Sequence, residues 1–147
     1  MLLEDFFQED GITRNVLETG EIVTHIQLPE NSGDFIGSYQ KLRLREAWDF
    51  PEGGVAFSVG ISADGTVSRI NMASTGFESI PRKHIELIET LDKGPNWALE
   101  AERLGAELKR AVRPVLNTWF PPAYRKKMAS VLARRAMEET SKRVTSG

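Results

Sequence analysis

The stretch from Val55 to Ala73 constrains the fold of this 147-residue chain more than any other. Val55, Phe57, Val59 and Ile61 recur at every second position, the period of a strand with one face buried. Ala63-Asp64-Gly65-Thr66 then supplies a hairpin turn, and Val67 to Ala73 returns as the antiparallel partner. Such a hairpin has an apolar face that needs a cover.

The flanking segments indicate where more sheet and the cover come from. A strand is predicted from about Phe35 or Ser38 through Arg45, followed by an irregular turn around Asp49 to Gly54 that contains Pro51, Gly53 and Gly54. Further upstream, Ile22, Thr24, Ile26 and Leu28 alternate with Val23, His25 and Gln27, which predicts a half-buried strand stopped by Pro29. Residues 1–20, with turns at Asp10-Gly11 and Gly20, read as a docking segment, and Glu30 to Gly37 as a loop or linker.

Three helices are predicted after the hairpin. The first is capped by Ser79, entered through Pro81, carries Ile85, Ile88 and Leu91, and closes at Gly94. The second starts near Asn96 and aligns Ala101, Leu104, Leu108, Ala111 and Val112 until Pro114. The third starts near Pro122 and aligns Tyr124, Met128, Val131, Leu132 and Ala136, with fraying expected from Thr140. The class implied is α+β, a mostly antiparallel sheet of three to four strands packed by about three helices.

Composition narrows the chemistry. With 40% hydrophobic residues the chain can build one core, and a net charge of −2 makes no case for nucleic acid or an anionic membrane. The absence of cysteine excludes disulfides, thiolate metal ligation, iron–sulfur ligation and thiol catalysis in this chain. No apolar run reaches the ~18 residues of a membrane helix, and Met1-Leu2-Leu3 leads straight into Glu4 and Asp5, so a cytoplasmic protein is expected. His25 and His84 have no carboxylate at metal-ligand spacing, no serine sits in a nucleophile elbow, and Gly53-Gly54 lacks the rest of a phosphate-loop pattern. Arg125, Lys126, Lys127, Arg134 and Arg135 make a basic helix without aromatic interleaving, which reads as a solvated outer face. Trp48 and Trp97 are interface candidates, at least one of them expected in the core, and Trp119-Phe120 reads as a hydrophobic plug.

Several segments share a resemblance. Asp5-Phe6-Phe7, Glu21 to Pro29, the run YQKLRLREAWDF from Tyr39 to Phe50, the hairpin, Tyr124 to Met128 and Val131 to Ala136 together resemble the FAD-binding medium subunit of molybdenum hydroxylases. These are the carbon-monoxide dehydrogenase flavoprotein and xanthine dehydrogenase family. The resemblance implies a division into residues 1–33, the end of the FAD-binding domain plus a linker; 34–140, the flavoprotein C-terminal domain; and 141–147, a flexible tail. It also implies FAD, shared with a missing domain or a partner chain, and a position against the flavin for Lys41, eight residues before Asp49, and for Val23. An ammonium there would stabilise a reduced flavin ring or its diphosphate. Arg43 and Arg45 would share the face of Lys41 on a regular strand, and Asp49 would pin the following turn.

The family's function is electron transfer through the flavin, beside iron–sulfur and molybdopterin subunits. The phosphate-binding loops of the family lie earlier than anything in this sequence. The expectation is therefore part of a flavin site, covering one side of FAD and supporting subunit assembly, with no catalytic acid, base, nucleophile or metal of its own. The alternative is a non-catalytic interaction or self-association module, for instance a homodimer, that retains the fold.

Overall fold

In the computed structural model, which describes residues 1–46 and 48–146, the hairpin forms as β2 (Gly53–Ile61) and β3 (Val67–Thr75). Asp64 closes its turn by accepting from the Thr66 N–H at 3.0 Å and the Thr66 hydroxyl at 2.7 Å, while Gly65 takes a φ of 82° that disfavours side chains. β1 (Phe35–Leu42) pairs antiparallel with β2, and the short β4 (Arg82–Lys83) pairs with β3, so the sheet order is β1-β2-β3-β4.

The helices are α1 (Ile85–Glu89), α2 (Ala101–Ala111) and α3 (Pro122–Ser146). α3 packs across β1 and β2, and α2 lies against α3. Val55, Phe57 and Val59 meet Leu104, Leu108 and Val112 and the alanines of α3 in one core. Trp97 stacks on Phe57 with ring centroids 5.9 Å apart. Burying each of the large side chains contributes about 1.5–3 kcal/mol. The α+β class, with its antiparallel sheet packed by helices, is as expected from the sequence.

Several elements differ from the sequence reading, each for a local reason. β1 stops at Leu42, not Arg45, because the Asp49 carboxylate captures the N–H groups of Leu44 and Arg45 at 3.0 and 2.9 Å and turns the chain. Ser79 caps no helix: Arg82 and Lys83 are drawn into the sheet opposite Ser74 and Ala73, so the helix begins only after His84. Gly94 does not end that helix but sits in a turn where its N–H donates to Asp92 Oδ1 at 2.8 Å. In α2 the inward face is Ala101, Leu104, Gly105 and Leu108, continued by Val112, while Ala111 is exposed.

The buried stripe of α3 runs through Arg125, Ala129, Leu132, Ala133, Ala136, Met137 and Thr140, leaving Tyr124 outside it. In place of fraying, the helix continues to Ser146, because Val144 packs on the core and the buried Thr140 hydroxyl donates to the carbonyls of Ala136 and Phe57 at 2.8 and 3.3 Å. Trp119 is 86% exposed and plugs nothing, whereas Trp48 is 94% exposed and Trp97 is buried.

The expected strand at Ile22 to Leu28 is absent. These residues form an exposed arm with no ladder partner among the described residues, and a strand exists only when a neighbour takes its hydrogen bonds. The segment before it folds on itself through a bridge between Phe7 and Asn15 and is tied to β4 by ion pairs from Glu9 to Arg82 and from Glu4 to Lys83. Among the described residues no helix is long and apolar enough to cross a membrane.

Candidate functional site

Alternation along β1 divides its side chains between two faces. Ser38 donates to the Ala136 carbonyl of α3 at 2.8 Å and Leu42 packs on the core, so the even-numbered positions face the helices. Tyr39 and Lys41 therefore stand on the opposite face. Register places Lys41 beside Gly54 and Thr75, and Tyr39 beside Ala56 and Ala73. This face is carpeted by small residues, with Ala56 exposed and Ser58 and Ala73 half-buried.

The Tyr39 ring lies across that carpet. Its hydroxyl reaches to 3.4 Å from Thr75 Oγ1, and a Cβ placed on Gly54 would come within 2.3 Å of it. Glycine at position 54 is what lets the ring lie down. Tyr39 was not singled out by sequence reasoning, although the small-residue pattern Gly54, Ala56, Ser58 opposite it was a readable signal.

Lys41 is exposed, and its ammonium donates to the Asp49 carbonyl at 2.6 Å. Among the described residues no carboxylate lies within ion-pair distance of it. An ammonium has three donors, so this arrangement can still meet an anion. Asp49 fixes the loop that presents it. The carboxylate accepts from the N–H groups of Leu44, Arg45 and Phe50 and from the Arg45 guanidinium at 3.3 Å, and the Arg45 backbone N–H foremost holds its carboxyl below the usual range. Asp49 thus pins the turn as expected, but the expected stripe of Lys41, Arg43 and Arg45 on one strand face is broken where β1 ends.

Val23, the other candidate, sits elsewhere. It belongs to the arm and lines a hollow with Leu3, Phe6, Leu17 and Ile26, of which Lys41 is not a part. His25 shares a hydrogen bond with Thr24 at 2.9 Å, and His84 bonds the buried Ser74 hydroxyl at 2.8 Å. Among the described residues no cluster of acidic and histidine side chains could hold a metal ion.

Behind the loop lies a residue misread from the sequence. Arg125 is 0% exposed, where a solvated basic face was expected. Its guanidinium donates to the carbonyls of Glu52 at 2.8 Å and Val115 at 2.6 Å, to Asn117 Oδ1 at 3.1 Å and to the Gly76 carbonyl, with the Glu52 carboxylate 4.0 Å away. Burial pushes its pKa down from the ordinary arginine value and Glu52 pushes back, leaving it cationic. Arg125 joins the loop before β2 to the segment before α3. Leu44, Phe50, Leu116 and Trp119 line an open groove between these two segments.

A family model described as the CO dehydrogenase flavoprotein C-terminal domain matches residues 37–140. The chain belongs to this family. Lys41, Asp49 and Arg125 all fall inside the matched stretch of this flavoprotein C-terminal domain. Its fold is also that of solved structures of carbon monoxide dehydrogenase from Hydrogenophaga pseudoflava (19% identity, TM-score 0.76), reconstituted CO dehydrogenase from Oligotropha carboxidovorans (23%, 0.76) and quinoline 2-oxidoreductase from Pseudomonas putida 86 (15%, 0.77). Each likeness covers 95% of this chain but 47% of the other, so the chain spans about half the length of the structures it matches. Residues 37–147 alone cannot make up 95% of the chain, so residues before β1 are included in the shared fold.

Proposed function

We propose that this flavoprotein C-terminal domain is the part of a flavin electron-transfer subunit that covers one side of FAD. Bound FAD would supply the electron-carrying chemistry. This chain would supply an uncovered sheet face, the Tyr39 ring and a cation, and the phosphate contacts would come from the half of the flavoprotein that it does not span. The observation that carries the reading is Lys41: an exposed ammonium, anchored by one bond to a loop that Asp49 fixes, inside the stretch matched by the family. A planar anion-bearing ring fits such a face because small residues leave the backbone accessible and the ammonium offsets negative charge.

On this reading residues 1–33 belong to the close of the FAD-binding domain and Val23 lies toward the flavin only after that domain is in place. The intact assembly is cytoplasmic and brings iron–sulfur and molybdopterin subunits to the flavin as electron donors. A second reading is favoured by the groove of Leu44, Phe50, Leu116 and Trp119: a non-catalytic interaction module whose apolar loops bind another protein or a second copy.

The deciding experiment is an FAD titration by flavin fluorescence, with mass by light scattering, on the chain alone and reconstituted with the missing half. Lys41→Ala is expected to weaken FAD binding about tenfold in the reconstituted complex, the loss of one charge-assisted contact. Unchanged affinity would overturn the role given to Lys41, and assembly without any bound flavin would favour the interaction module.

A further inference from the structure

We propose that the end of the helical layer where α2 stops and α3 starts is a docking surface for an acidic segment of a partner protein. This surface is separate from the proposed flavin face, since it lies on the helix side of the sheet and Lys41 stands on the other. The sequence sets up its charge: from Leu108 to Met137 there is no Asp or Glu, in a chain whose formal net charge is −2. The fold then gathers that charge. Lys109 and Arg110 from the last turn of α2 and Lys126 from the opening turns of α3 line an open hollow of about 420 Å³, with Arg113 and Lys127 following closely in sequence. Among the described residues none of these five cations pairs with a carboxylate, whereas Arg82, Arg103, Arg134 and Arg143 each do.

A solvated face would ordinarily mix its signs, as the other end of the same helix pair does, where Glu102 and Glu138 hold Arg134. At the hollow the cations of α2 meet that of α3 with no counter-charge, and α3 has no acid in its first turn. Like charges brought together oppose folding, and such a local cost persists where a surface serves binding. Charge complementarity names carboxylates as the occupant. A nucleic acid would need aromatic side chains to stack its bases, and Ala106 and the three cations lining the hollow offer none. A lone phosphate calls for donors converging on one point, and these cations belong to two helices with open space between them. A run of Asp or Glu on a partner's surface can span that spacing, is steered in by the field, and is screened by salt.

The test follows the fluorescence anisotropy of a fluorescein-labelled decaglutamate peptide added to the full chain. The peptide is expected to bind in about 20 mM salt and at least ~10-fold more weakly in about 200 mM. Lys109→Gln with Arg110→Gln, and separately Lys126→Glu with Lys127→Glu, should each weaken it at least ~10-fold, while Arg69→Gln with Lys142→Gln, exposed cations elsewhere, should leave affinity within about twofold. The Lys126→Glu, Lys127→Glu chain should also melt higher than the parent, because it brings a counter-charge to Lys109 and Arg110. No binding in low salt, an equal loss in the Arg69 and Lys142 variant, or loss of binding only where both hollow variants have unfolded would overturn the proposal. So would tighter binding of an oligothymidylate of equal charge, or displacement of the peptide by micromolar pyrophosphate, which would make the hollow a nucleic-acid or phosphate site. A chain that doubles its own mass in low salt, and loses that dimer in the same variants, would make the acidic first residues of a second copy the occupant and overturn it as well.

Discussion

Arg125 connects backbone carbonyls at positions 52, 76 and 115 through one guanidinium. Truncating it strands those acceptors and leaves the buried Glu52 carboxylate without its nearby cation. Arg125→Ala should therefore destabilise the chain by about 3–5 kcal/mol in denaturant unfolding. Arg125→Lys keeps the charge but cannot reach four acceptors at once, and should recover only part of that loss. His84 makes a pH-dependent contribution. Burial holds its pKa below the ordinary value, outweighing the opposite pull of Glu78, with Arg82 adding to the lowering. The unfolded imidazole takes up its proton near pH 6.5, so below that pH the unfolded state binds a proton that the native state resists. Stability should fall as pH drops through about 6.5 toward the lower native pKa. Thermal unfolding at pH 7.5 and 5.5 should show a smaller drop in His84→Gln than in the parent.

Among the elements, the α2–α3 contact depends on a missing side chain. A Cβ on Gly105 would lie 2.7 Å from the backbone carbonyl of Ser130, and backbone cannot step aside as a side chain can. Gly105→Ala raises helix propensity by about 1 kcal/mol, yet it should be net destabilising by about 1–2 kcal/mol because the helices are forced apart. A lowered urea midpoint at unchanged slope would show it. How much of this was legible in the sequence differs from element to element. The β2–β3 hairpin was read correctly because its alternation and its Asp-Gly turn are local signals. The faces of α3 were misjudged by one position, since a helix rich in alanine has a weak apolar stripe and its buried arginine is indistinguishable in sequence from a solvated one. The Asp49 turn was legible because aspartate in a loop caps backbone N–H groups; Lys41 was singled out through the family resemblance alone, and the Tyr39 ring was passed over because its room is made by a glycine one strand away. The strand expected at 22–28 has the right period and no neighbour, and period alone cannot supply one.

For the whole molecule, the arm and the sandwich are separable. No residue before Phe35 is buried, and the arm's ties to β4 are exposed ion pairs worth little individually. Deleting residues 1–34 should shift the melting temperature by less than about 5 °C, measured by circular dichroism. The sandwich itself is closed by its last element, since α3 is what lies against β1 and β2, and Thr140 bonds the Phe57 carbonyl 83 positions back. During synthesis, Val55, Phe57 and Val59 leave the ribosome long before the helix that shields them exists. The nascent hairpin is thus sticky until α3 has been made, and folding must wait for contacts as distant in sequence as that of Thr140 with Phe57, which slows it. A chain cut short near residue 120 would leave an uncovered sheet and hence a client for chaperones, whereas one that includes α3 carries its own cover.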